Sequence, residues 1–128
     1  MKAMKAQLDY REVAAKAADE IERRGWTRGT LGSNRSDPEN YKVCALGAVN
    51  AVVYGNPFGE MDAWGYRVDG YSTFIDFPEL APIAESFGAN RDSSVFVQYV
   101  HLYNDIRAES AQDVIDKLRQ AANSVPAS

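Results

Sequence analysis

Val43-Cys44-Ala45-Leu46-Gly47-Ala48-Val49-Asn50-Ala51-Val52-Val53-Tyr54, followed by Gly55-Asn56-Pro57, is the stretch on which the fold of this chain turns. It is apolar almost all round and is interrupted only by Asn50. A helix without a polar face is a buried helix, so residues 42 to 54 read as the central element of the core. Gly55 supplies a cap and Pro57 a stop. The small residues Ala45, Gly47, Ala48 and Ala51 let neighbouring segments approach closely. A mid-helix glycine costs ~1 kcal/mol against alanine, so Gly47 needs a packing reason.

On the N-terminal side, residues 9 to 24 form an amphipathic pattern with Val13, Ala17 and Ile21 in one stripe and Ala14 and Ala18 beside it. Glu20 and Arg24 are an i,i+4 pair. Asp9 with Glu12 resembles a capping box, and Gly25 a left-handed C-cap. Trp26 is expected to fold back on the helix end, and residues 27–40 read as a polar loop. On the C-terminal side, half of the aromatic residues fall between Tyr54 and Phe77, interleaved with glycines. Asp69-Gly70 suits a two-residue turn pairing Val68 with Tyr71, Tyr66 with Thr73 and Trp64 with Ile75, which makes the 56–77 insert a β-hairpin.

Residues 79 to 87 read as a short helix after Pro78. Ser94 to Tyr103 is ambiguous: Val95, Val97 and Val100 favour a strand, Phe96, Tyr99, Val100 and Tyr103 a helix, and helix is preferred. The last helix starts at Ser110-Ala111-Gln112-Asp113, close to a capping box, with Ala111, Val114, Ile115, Leu118 and Ala122 as its buried face. Residues 124–128 are a tail. The expectation is a mainly α fold with a minor β component. It is one domain over 1–128, a compact bundle of about five helices around a buried central helix, with one β-hairpin.

Composition narrows the function. The chain has 128 residues, 18 acidic and 14 basic, for a net charge of -4. It carries no basic stripe of the kind that neutralises phosphates, so a nucleic-acid reader is disfavoured. No stretch approaches the roughly 18 apolar residues needed to span a bilayer. Asp9, Arg11 and Glu12 interrupt any signal-like apolar run near the N-terminus. One cysteine cannot form an internal disulfide, which fits a reducing compartment. The expectation is a cytoplasmic protein with no membrane and no nucleic-acid partner.

Three short motifs lie in order along the chain: Trp26-Thr27-Arg28-Gly29 after an Ala-rich first helix, Cys44-Ala45-Leu46-Gly47-Ala48, and Asn104-Asp105 followed by Ser110, Val114 and Leu118. Together they resemble a group of uncharacterised small domains found in actinobacteria and their phages. The layout is also similar to a looser set of bacterial and phage domains with a Cys-Leu-Gly motif and a later Asn-Asp. The resemblance implies a layout and no mechanism.

Two constellations are candidates for function. If 94–104 is helical, His101, Asn104 and Asp105 project from one face. With Cys44 at a helix N-terminus, where the dipole lowers a thiol pKa, they complete the parts list of a Cys-dependent hydrolase or transferase. In that reading Cys44 is the nucleophile, His101 the base, and Asn104 or Asp105 the group orienting it. The architectural reading of the same residues makes Cys44 a core residue and has a carboxylate at Asn104-Asp105 accepting from free N–H groups at the start of the Cys44 helix. The second candidate is the aromatic segment, where Trp64, Tyr66 and Tyr71 would present a partner-binding face or cover the core. One Cys and one His fall short of a zinc site, and the Gly-rich segments lack a nucleotide fingerprint, so no metal or cofactor is expected. The leading expectation is a non-enzymatic interaction module binding a protein partner or itself.

Overall fold

The computed structural model describes residues 8–33, 41–59, 71 and 73–124. Helix α1 spans Tyr10–Arg24, α2 Ala45–Tyr54, α3 Thr73–Asp76, α4 Ala81–Ser86, α5 Tyr99–Leu102 and α6 Ala111–Ala122. A 3₁₀ turn at Pro78–Leu80 leads into α4, another at Phe96–Gln98 leads into α5, and a π-helical turn at Tyr103–Arg107 leaves it. The described residues are thus mainly helical, and their only β features are isolated bridges of Val43 with Trp26 and with Gly32.

α1 forms where the stripe predicts, with Val13, Ala14, Ala17, Ala18 and Ile21 all buried. Asp9 caps it by accepting from the Arg11 N–H at 3.0 Å, but Glu12 does not complete the box and instead pairs with Lys16 at 2.7 Å. Glu20 takes Arg24 at 2.5 Å as expected. Gly25 ends the helix at φ 94, ψ 166. This is an extended positive-φ conformation open essentially to glycine alone, not the left-handed helical cap expected. From there the chain turns across the N-terminus of α2.

α1 packs on α6 and α2, and α4 closes against α6. Ile21, Leu46, Val49, Leu80, Ile83, Val100, Val114 and Leu118 are fully buried between them. Each such side chain contributes roughly 1.5–3 kcal/mol over its exposed state. Arg119 of α6 reaches Glu22 and, at 3.8 Å, Asp19 of α1, clamping the α1–α6 seam at its surface. α6 buries Val114, Ile115, Leu118 and Ala121. The Ser110 side chain makes no capping bond, and Asp113 accepts from the Glu109 N–H at 2.8 Å, one residue earlier than a capping box requires.

The ambiguous segment is helical from Phe96 onward. The hairpin is not supported: Thr73–Asp76, which contains Thr73 and Ile75 of its expected second strand, is a helical turn with Thr73 and Phe74 buried. The rest of the hairpin, including Trp64, Tyr66, Val68 and the Asp69-Gly70 turn, lies outside the described residues, as do residues 34–40 of the polar loop and 125–128 of the tail. Residues 27–33 of that loop are held in place: Thr27 N–H donates to the Val43 carbonyl at 3.1 Å, Ser33 N–H to Lys42 at 3.0 Å, and Cys44 N–H to Leu31 at 3.3 Å.

Candidate functional site

The three motifs meet at the N-terminus of α2. Cys44 has an extended backbone and is the N-cap residue; its Sγ accepts from the Gly47 N–H at 3.2 Å. A helix start leaves several N–H groups without intrahelical acceptors, and the thiol satisfies one of them. Only 2% of Cys44 is exposed. Burial pushes its thiol up to about 11, outweighing the hydrogen bonds from the Gly47 and Leu46 backbone that act the other way; Asp105 raises it further. The depression expected from the helix dipole is therefore reversed.

Gly47 has the packing reason its position demands. A Cβ there would lie 1.8 Å from the Leu31 carbonyl oxygen. The loop following α1 rests directly on the backbone of α2 at this point, and a methyl group would push it away.

Asn104 is the hub. Its residue is completely buried in the π-helical turn. Its Oδ1 accepts from the Trp26 indole Nε1–H at 2.5 Å and from the Ala45 N–H at 3.0 Å. Its Nδ2 donates to the Thr27 carbonyl at 3.1 Å and to Asp105 Oδ1 at 3.0 Å. Two donors and two acceptors surround the amide in the only orientation that satisfies all four. Asp105 Oδ1 also accepts from the Gly29 N–H at 2.9 Å. Arg28 stacks 4.6 Å over the Trp26 ring and donates to the Ala108 carbonyl at the end of the π-turn. One side chain thus joins the loop after α1, the start of α2 and the end of α5. The anchor expected here is an amide and not a carboxylate: Asn104 takes the α2 N–H, while Asp105 secures the loop.

His101 stands one turn earlier. It is half-buried, with its ring in an edge-on contact with Tyr71, 4.9 Å between centroids at 72°. Its Nδ1 is buried without a hydrogen-bond partner. Burial lowers its pKa below the usual histidine value, against an opposing pull from Asp105. Asn104, Asp105 and Cys44 are therefore gathered at one helix start, with Asn104 bonded to the residue next to Cys44, whereas the His101 ring lies against Tyr71.

Of the aromatic candidates, Tyr71 is 39% exposed, and Trp64 and Tyr66 lie outside the described residues. Ile75, Val95 and Ile106 are exposed apolar side chains on α3, the turn before α5 and the π-turn. A groove of about 380 Å³ lined by Tyr10, Glu85, Ser86, Arg91 and Gln120 lies elsewhere, between the start of α1, α4 and α6. Among the described residues no group of three His, Cys, Asp or Glu side chains could hold a metal ion, and no helix is long and apolar enough to cross a membrane.

Sequence reasoning missed two links. The Trp26 indole as partner of Asn104 joins residues 78 apart, which no local pattern signals. Asn50 was visible as the one polar break in an apolar helix: it is fully buried, donates from Nδ2 to the Pro57 carbonyl at 2.9 Å and accepts from Thr73 Oγ1 at 2.5 Å, tying α3 to α2.

Comparisons with curated proteins and with solved structures gave no significant match. The family of unknown function DUF6197 matches residues 6–124. That span takes in the first helix, all three motifs and the last helix, and the chain therefore belongs to this family of unknown function.

Proposed function

We propose that this domain is a non-enzymatic interaction module that binds a protein partner or a second copy of itself, with Tyr71 and the neighbouring aromatic segment, including Trp64 and Tyr66, as its contact face. The origin that fits the resemblance is an actinobacterium or one of its phages, and the compartment that fits a lone reduced thiol is the cytoplasm. The observation that carries the reading is how fully the motif residues are committed to architecture. All four hydrogen-bonding positions of the Asn104 amide are occupied by the protein itself, and the Cys44 thiol caps its own helix in the core. A nucleophile must reach its substrate as thiolate, and burial opposes both requirements here. The apolar side chains Ile75 and Ile106, 60% and 75% exposed, supply the surface that association would cover.

The alternative is a Cys-dependent hydrolase or transferase using Cys44 with His101 and Asn104 or Asp105. Iodoacetamide labelling separates the two. In the interaction module, folded protein at pH 7.5 labels far more slowly than free cysteine and reaches full labelling only in denaturant. Labelling of the folded protein faster than free cysteine overturns the proposal. Charge placed on the contact face gives the complementary test: I75D and I106D should retain the wild-type melting temperature and lose self-association or partner capture. Retention of both overturns the assignment of the face.

A further inference from the structure

The groove of about 380 Å³ between the start of α1, α4 and the end of α6 shares no lining residue with the three motifs or with the aromatic face. Its volume lies within the roughly 300–1,000 Å³ of small-molecule sites. Its hydroxyls can be assigned proton by proton. Ser124 Oγ donates to the Ala121 carbonyl at 2.8 Å. A serine has one hydroxyl proton, so in the 2.8 Å contact between Tyr10 and Ser124 the phenol is the donor. Ser86 Oγ donates to the Ile83 carbonyl at 2.6 Å. All three protons are thus spent inside the protein, and these groups retain only lone pairs for a ligand. Glu85 adds a carboxylate: one oxygen accepts from Arg91 at 2.8 Å, and the other takes no bond from any described residue.

We propose that this groove binds a free α-amino acid with an apolar side chain. An ammonium group has three N–H donors and no acceptor, which is what a wall of hydroxyl lone pairs and a carboxylate demands. The carboxylate of the same ligand accepts from Arg91, whose guanidinium spends one of its five N–H groups on Glu85 and is exposed enough to turn to a ligand. The Arg91–Glu85 pair is itself solvent-exposed, and exposed pairs contribute little to stability, so a ligand can draw on both partners at small cost. Their charges cancel, which matches a zwitterion better than an anion or a cation alone. The apolar side chain of the ligand lies along Pro82 and Ala121, which complete the lining. The inference does not depend on the interaction face, which shares no residue with the groove.

The test is an NMR titration of the full chain with L-leucine, following the backbone amides of Glu85, Ser86 and Ala121. Isocaproate, which is leucine without its ammonium, and isopentylamine, which is leucine without its carboxylate, are titrated in parallel. The expected result is saturable shifts at the groove amides with a Kd on the order of 1 mM for L-leucine, and binding about tenfold weaker for each truncated compound. R91Q and E85Q, both at exposed side chains, should keep the wild-type melting temperature and weaken L-leucine by a similar factor. The absence of saturable groove shifts up to about 20 mM L-leucine overturns the proposal. So does a truncated compound that binds as tightly as L-leucine, or L-leucine binding that neither substitution weakens. The three compounds on the wild-type chain decide the matter even where a substitution disturbs the fold.

Discussion

Replacing Asn104 by alanine is the sharpest test of the hub, because the groups it strands are known one by one. The Ala45 N–H, wholly buried at the first turn of α2, loses its acceptor. The Trp26 indole and the Thr27 carbonyl, both half-buried, lose their partners but can recover water. A buried donor left unsatisfied costs about 1–3 kcal/mol. Adding the smaller losses at the two half-buried groups gives about 3–4 kcal/mol for N104A. In urea, with m of about 1–3 kcal/mol/M for a small domain, the midpoint should fall by about 2 M at unchanged m. D105A strands only the exposed Gly29 N–H and one of the two Asn104 Nδ2 bonds, for about 0.5–1.5 kcal/mol. N104D keeps the shape but sets a carboxylate oxygen against the Thr27 carbonyl and the Asp105 carboxylate. The pKa of the introduced carboxyl is thereby raised in the folded state. N104D should be strongly destabilised at pH 7 and recover part of its loss as pH falls and the carboxyl regains a donor proton. An N104A midpoint within 0.5 M of wild type (about the effect of one ordinary hydrogen bond), or a D105A cost as large as that of N104A, refutes the hub.

G47A should destabilise although alanine is the better helix former by ~1 kcal/mol, because its methyl would need the space of the Leu31 carbonyl; a thermal melt at or above wild type would show that the loop yields freely. Glu20 makes stability depend on pH. Burial raises its carboxyl, but hydrogen bonds from Arg24 and Arg23 outweigh this and hold it below its ordinary value of 4.5. Its contribution is therefore present above that pH and lost as pH falls through the folded value. E20Q should accordingly be less stable than wild type at pH 7, by a margin that narrows as pH falls towards 3. A deficit in urea denaturation that is equal at both pH values would assign the effect to packing.

What the sequence could show was local. The α1 stripe, the Glu20–Arg24 pair and the buried α2 follow from periodicity, because the spacing of apolar residues decides which face of a helix is buried. The second strand of the hairpin failed at Thr73, whose alternation with Tyr71 and Ile75 suited a strand, because tertiary context overrides local pattern: Thr73 is drawn inward by Asn50 of α2, 23 residues away, and the chain closes into a helical turn. The same limit governs the site. Asn104-Asp105 was legible as an anchor for the α2 start, and a carboxylate is the natural first choice for free N–H groups. But the position also faces the Thr27 carbonyl, which demands a donor. Only an amide offers two acceptor positions, to Ala45 and Trp26, and two donors, to Thr27 and Asp105, at once, and that requirement becomes visible only when the loop after α1 is laid across α2. Gly47 makes this close approach possible, so the Cys-Ala-Leu-Gly and Asn-Asp motifs are two halves of one joint: the first clears the surface on which the loop lies, and the second binds the loop to it.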